Sequence, residues 1–530
     1  MNRSKLLYFW VFLTILVRPL RVFLTQDDAT YAKQAILFAT KDFRFPADTI
    51  APTLPQTSIG AFLVSLFGSS IDPIIILNGM TWIVFLAVML VLKRWLKLNT
   101  LMTVGLISVP YWLQYGCGFL YDLYVVLLEA LLLWLWDASQ SKPKNYKSAL
   151  GIITLSALGP LQLQTLFLIN GFLIFTGFIQ RKLILALYVL LGSVLALIVI
   201  GVLPSSLWQQ VQAHIFTQNF LTFQYPIISI CSTAFQFLLG IGFFLLPLVP
   251  LPQNWSKKKM LLTAWLHIVI TFVLWLSPIS VLAAGAFFSD YLPRVLGAFL
   301  VGAGVWGWSA VMCPRRWSLS KDAPIIGVIL LFALIYGYRA INDMRYAMIL
   351  MPLVFWSLKV RIQNSTMDAK RHVIGGSVPW VVAMWSLSIF LNSYLVDTSV
   401  ARWSTAHALE KRGVPVHRIS AGYGRDHFEL EDVCIRKAYA KLGYPSFDEP
   451  AFMQHIHRNV PRVYQDEWVP EYILKPYRLF GVPITLKANQ QVGQHQSAEE
   501  VVYYKQLGLI PHQLAVFKND SPQDPWCLRP

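Results

Sequence analysis

The sequence predicts a multi-span α-helical membrane protein, with about 13 transmembrane helices and a small C-terminal extracytoplasmic α/β domain. Three observations predict it. Of 530 residues, 56% are hydrophobic and only 13% charged, whereas a soluble chain covers its surface with about 25% charged residues. Apolar runs long enough to cross a hydrocarbon core follow one another up to Val396, where the composition turns polar and mixed. Lys and Arg collect in the short loops between alternate pairs of runs, the pattern left by retention of positive charge in the cytoplasm.

In chain order the spans are predicted near residues 6–24, 74–92, 99–116, 120–136, 148–163, 165–180, 183–203, 227–250, 260–283, 295–312, 323–338, 344–358 and 374–396. Arg3 and Lys5 start the chain on the cytoplasmic side. Counting spans from there puts six basic loops on that side: Lys93/Arg94/Lys97, Lys142/Lys144/Lys147, Arg181/Lys182, Lys257/Lys258/Lys259, Arg315/Arg316/Lys321 and Lys359/Arg361/Lys370/Arg371. Changing the span count by one breaks the agreement. Residues 25–57, the turn at Tyr121-Asp122, residues 204–225, the turn near Asp290 and the polar tail are then extracytoplasmic. Residues 1–24 also have the form of a signal peptide, but no small-residue cleavage site follows and Arg18 and Arg21 can snorkel from an anchor, so an uncleaved first span is preferred.

The net charge of +17 raises the question of a nucleic-acid partner, and its location answers against one. Residues 397–530 hold 16 Lys/Arg and 15 Asp/Glu, while residues 1–396 hold 28 and 12. The excess is membrane topology. Helix-prone runs at 404–412 and 429–442 alternate with β-prone runs at 414–419 and 514–518, so a domain at 397–530 follows a membrane module at 1–396. Cys434 and Cys527 both fall in this tail, paired or free.

Ionisable groups in or beside spans are expensive and mark function. Asp27 and Asp28 follow the first span in Thr25-Gln26-Asp27-Asp28-Ala29-Thr30-Tyr31-Ala32-Lys33, and Asp122 opens the fourth in Phe119-Leu120-Tyr121-Asp122-Leu123-Tyr124. The predicted topology puts all three at one membrane face. Capping is the competing account: Asp27-Asp28 as N-cap and first-turn acids of a helix over 29–40, and Asp122 as a cap of the fourth span. An aspartate can do both. Glu129, two turns deeper, is expected to hydrogen-bond a neighbouring helix.

The order of these features resembles the GT-C glycosyltransferases, in particular the branch of protein O-mannosyltransferases and the lipid A aminoarabinose transferase. Asp27-Asp28-Ala29-Thr30-Tyr31-Ala32 is similar to that family's Asp-Glu-Ala-x-Tyr-x pattern, with Asp28 where Glu is usual. Pro52-Thr53-Leu54-Pro55 leading into Ile59-Gly60-Ala61-Phe62 resembles its proline-bearing re-entrant segment, without a basic residue or His before the first proline. Asp122 at the head of a span is the third mark, and Arg345-Tyr346-Ala347-Met348-Ile349-Leu350-Met351-Pro352 is similar to its Arg-Tyr…Pro element. The resemblance implies transfer of a sugar from a polyprenyl-phosphate donor to a lipid, glycan or protein acceptor, in a bacterial plasma membrane, with no cofactor. A divalent metal is not indicated.

The same resemblance implies Asp27 as general base, with Asp28 in support and inversion at the anomeric carbon. Asp122 would hold the acceptor or raise the basicity of Asp27. For the phosphate, the forked donors of Arg345 are the strongest candidate, with a hydrogen bond from Tyr346 and with Arg294 and Arg339 as further cations on that side.

Other patterns carry less. His455-Ile456-His457 lacks the further ligands of a metal site, Gly422-Tyr423-Gly424 reads as a turn, and His267 as a packed mid-span residue. A transporter or flippase, and an oligosaccharide ligase, are the rival readings. A transporter predicts internal repeats and charges at the midplane, and here the acids gather at one face.

Overall fold

The computed structural model describes residues 26–41, 53–98, 103, 121–141, 143–163, 166–202, 348–356, 359, 377–421, 472–479, 482–483, 498–506 and 510–518. Of residues 26–28 it describes the backbone alone. The spans predicted at 6–24, 227–250, 260–283, 295–312 and 323–338 lie outside these residues, as does 99–116 apart from Thr103.

Helix α1 runs Gln26–Ala39, α2 Leu54–Phe67, α3 Pro73–Trp95, α4 Asp122–Ser139, α5 Tyr146–Gln162, α6 Leu166–Ile179, α7 Leu183–Val202 and α8 Ser377–Lys411. Their limits follow local chemistry. Pro73 takes the first helical position of α3, where no amide hydrogen is needed, and the Asp72 carboxylate accepts from the Ile74 amide at 2.8 Å. Asn145 caps α5 in the same way through Lys147, at 3.1 Å. Lys41, Lys97 and Arg181 adopt positive φ just beyond α1, α3 and α6, the left-handed stop by which helices commonly end.

Five predicted spans at 74–92, 120–136, 148–163, 165–180 and 183–203 are helices α3 to α7, with ends shifted by at most three residues. Residues 351–356 are helical within the span predicted at 344–358. Helix α3, with 23 residues, and α7, with 20, are long and apolar enough to cross a membrane. What faces outward supports the same solvent. Phe62, Ile83 and Val202 are 61%, 69% and 81% exposed, and Leu187, Leu190, Val194, Leu197 and Ile198 continue the apolar surface along α7. A water-soluble protein does not leave a patch of that extent open. The chain is an integral membrane protein.

In lipid, apolar burial gives little preference for helix over hydrocarbon, so close approach and interhelical hydrogen bonds must hold the bundle. A Cβ at Gly192 would lie 2.4 Å from the Ile153 carbonyl oxygen, so α7 and α5 touch backbone to backbone. Beside them, Asn170 Nδ2 on α6 donates to the Ser156 carbonyl at 2.8 Å and to Ser193 Oγ at 2.9 Å, joining three helices.

The 35 residues of α8 would extend about 52 Å, more than a bilayer core needs. The helix passes unbroken through Asp397, where the composition changes, and includes the run predicted at 404–412 except its last residue. Strands Ile419–Ser420 (β1), Tyr472–Leu479 (β2), Val482–Pro483 (β3), Ala498–Gln506 (β4) and Ile510–Lys518 (β5) form a sheet in the order β1-β2-β5-β4, with β3 on β2. Only β1 and β2 are parallel. Ala401, Ala406 and Leu409 of α8 share a core with Ile419, Ala421, Leu514 and Val516, so the sheet lies on the polar half of α8.

Candidate functional site

Two cross-links orient α3 and α4. Thr81 Oγ1 meets Tyr124 Oη at 3.2 Å near the start of α4, and Trp95 Nε1 donates to Asp137 Oδ2 at 2.9 Å near its end. The helices therefore run parallel, the relation that the predicted span between them requires. Asp137 also accepts from Trp356 Nε1 at 2.7 Å through Oδ1 and from Lys359 Nζ at 2.6 Å through Oδ2. Lys182 donates to the Gln140 carbonyl at 3.4 Å. The ends of α3 and α4, the α6–α7 turn and Lys359 thus gather at one end of the bundle, and four of the predicted cytoplasmic basic loops border it.

At the opposite end stand the predicted acids. Helix α1 begins at Gln26, so Asp27 and Asp28 belong to its first turn and do not cap a helix starting at Ala29. Their negative charge still suits the positive end of the helix dipole. Asp122 is the first residue of α4 and fully buried, while the N-cap position is held by Tyr121 without a side-chain capping bond. The competing account of Asp122 as the cap of this helix is therefore set aside.

The two acidic segments are joined by aromatic packing. The rings of Tyr31 and Tyr121 meet edge to face with centroids 5.3 Å apart, both buried. Asp27 precedes Tyr31 by one helical turn on the same stripe of α1, and Asp122 follows Tyr121 directly. Glu129 is buried two turns along α4 and neither of its carboxylate oxygens has a hydrogen-bond partner among the described residues, so the expected bond to a neighbouring helix is not formed there.

Arg345, Tyr346, Arg294 and Arg339 lie outside the described residues, and so do Cys434, Cys527, His267, His455, His457 and the Gly422-Tyr423-Gly424 turn. Among the described residues, no group of three His, Cys, Asp or Glu side chains is placed to hold a metal ion.

Sequence reasoning missed a neutral cluster beside the acids. Gln34 on α1, Thr53, Gln56 and Thr57 at the head of α2, and Gln162 at the end of α5 are all fully buried. Gln162 Nε2 donates to Gln56 Oε1 at 2.7 Å, the Gln56 amide returns a bond to Gln162 Oε1 at 3.2 Å, and the Thr53 amide donates to the Gln162 carbonyl at 3.3 Å. Uncharged residues gave no alarm in an apolar sequence. The only available signal was two glutamines in otherwise apolar, helix-forming runs.

No protein-family sequence profile matches the chain, and no curated protein matches it in sequence. Among solved structures, it is similar to two crystal structures of ArnT from Cupriavidus metallidurans. The apo form is 13% identical, covering 83% of this chain and 80% of that one at a TM-score of 0.36. The form bound to undecaprenyl phosphate is 12% identical, covering 98% and 99% at a TM-score of 0.41.

Proposed function

We propose that the chain is an integral membrane glycosyltransferase that moves a sugar from a polyprenyl-phosphate donor to a hydroxyl or phosphate of a lipid, glycan or protein at the extracytoplasmic face. The observation that carries this reading is the Tyr31–Tyr121 contact, which brings the helix bearing Asp27 and Asp28 against the start of the helix bearing Asp122. Residues 1–396 supply the catalytic module in this reading, and residues 397–530 form the extracytoplasmic domain.

A sugar linked through C1 to phosphate is already activated. Asp27 takes the acceptor proton as the acceptor oxygen bonds to C1 from the side opposite the phosphate. The C1–O bond to phosphate breaks, its electron pair stays on the leaving oxygen, and the configuration at C1 inverts. Asp122 orients the acceptor and, as a second negative charge nearby, raises the proton affinity of Asp27. Asp28 supports that arrangement. Arg345 and Tyr346, with Arg294, stabilise the charge that builds on the phosphate as the bond breaks. The polyprenyl tail needs only an apolar surface between helices, and α2, α6 and α7 present such surfaces outward.

Mass spectrometry of envelope glycans from cells with and without the protein tests the reading. Loss of one sugar substituent together with accumulation of its polyprenyl-phosphate form supports it. Loss of the substituent with the carrier-linked sugar held on the cytoplasmic side would instead point to a flippase.

A further inference from the structure

Thr53 occupies a backbone conformation that its side chain disfavours. Of the four non-glycine residues at positive φ among the described residues, three close helices, whereas Thr53, at φ 42° and ψ 26°, opens α2 and carries a β-branched side chain. Its surroundings are polar. Thr53 Oγ1 donates to Gln34 Oε1 at a loose 3.4 Å and shares a 3.1 Å contact with Thr57 Oγ1.

Gln34 Nε2, in the same pocket of groups, is buried and has no hydrogen-bond partner. Turning the amide round exchanges its oxygen and nitrogen but still leaves one of them facing no protein group. A buried amide atom left open is expensive and calls for an occupant. The groups gathered there are an amide and two hydroxyls, none charged. A phosphate there would lack a cation from the cluster, while a hydroxyl, which both donates and accepts, matches each of them. Gln34 also lies seven residues after Asp27, on the same stripe of α1 and about 10 Å along it. A sugar ring together with the reach of the two side chains at its ends covers that distance.

We infer that Gln34, Thr53 and Thr57 form a subsite for the hydroxyls of the transferred sugar. This rests on the glycosyl-transfer reading and adds where the sugar, as distinct from the phosphate and the tail, is recognised.

The test uses the full-length protein in lipid nanodiscs, with binding followed by thermal unfolding and titration. The probes are undecaprenyl phosphate alone and undecaprenyl phosphate bearing mannose, glucose or 4-aminoarabinose. Wild type is expected to bind one sugar-bearing probe more tightly than the bare lipid phosphate, and Gln34→Leu to lose about tenfold of that preference while holding the bare lipid phosphate as before. Should Gln34→Leu fail to fold, Gln34→Asn, which withdraws the amide by one methylene, is read in the same way. An unchanged sugar preference, as an internal water in the gap would give, overturns the subsite while leaving the transferase reading intact. Equal weakening toward both probes also overturns it, because the cluster is then only structural. If wild type binds neither the bare lipid phosphate nor any sugar-bearing probe, the transferase reading itself fails and the subsite falls with it.

Discussion

Tyr31 and Tyr121 lie edge to face at an interplanar angle of 89°, a ring contact that ties the helix of the acidic pair to the start of the helix that Asp122 heads. The geometry suits the positive edge of one ring against the negative face of the other. Tyr31→Phe keeps the contact and should leave activity within a few-fold of wild type. Tyr31→Ala removes a fully packed ring and should cost about 3–5 kcal/mol of stability. If its surviving folded fraction transferred sugar at the wild-type rate, the contact would not position the site.

The Asp137 node makes a stability prediction at the other end of the bundle. One carboxylate accepts from two indoles and an ammonium, all partly buried. Asp137→Ala strands three donors and should lower stability by about 2–4 kcal/mol, whereas Lys359→Met, which keeps the indole bonds and the aliphatic stem, should cost about 1 kcal/mol or less. Thermal unfolding of both variants in one lipid checks the order. A reversed order would contradict the bonding described.

The same end supports a test of orientation. Single cysteines introduced at Lys97, Lys144, Lys182 or Lys359 should react with a membrane-impermeant thiol reagent only after the cytoplasmic side is opened, because their loops share one basic end. Labelling of any of them from outside the intact cell would invert the topology and place the acids in the cytoplasm.

Close packing between α5 and α7 leaves no room for a side chain at Gly192. Gly192→Ala should destabilise by about 1–3 kcal/mol, because the obstacle is the Ile153 backbone carbonyl and not a flexible side-chain tip. Gly171, whose Cβ would meet nothing within 4 Å, is the control that should tolerate alanine. Equal losses at the two positions would show that the helix contact is looser than described.

Much of the bundle was legible because a membrane span announces itself by length and apolarity, and a helix needs no partner to satisfy its backbone. The runs around Leu77, Val125 and Val189 became α3, α4 and α7 for that reason. The separation of α5, which ends at Gln162, from α6 was legible from the apolar runs on either side, and Pro160 fits inside the last turn of α5. The change of composition at Asp397 is not accompanied by a break in the helix, because α8 needs only helix-forming residues to continue past the point where its surroundings become polar. At the site, charge made Asp27, Asp28 and Asp122 visible. The Gln34–Thr53–Gln162 cluster was not visible, since it depends on three segments, 162 minus 34 residues apart at its extremes, meeting at one point. Strands β2 and β4 were also missed. Their pairing with β5 is non-local for β2, and β4 mixes Glu499, Glu500 and Lys505 with its apolar residues.

The most direct test of the central claim is transfer by purified protein in sealed proteoliposomes, comparing wild type with Asp27→Asn on labelled undecaprenyl-phosphate sugars and an envelope-lipid acceptor. Asparagine keeps the shape of Asp27 and removes its proton affinity. Wild type should release undecaprenyl phosphate and label the acceptor with inverted configuration, and Asp27→Asn should be folded and at least about a hundredfold slower. Near-normal transfer by Asp27→Asn would remove the proposed base, and passage of intact carrier-linked sugar across the bilayer without transfer would contradict the account as a whole.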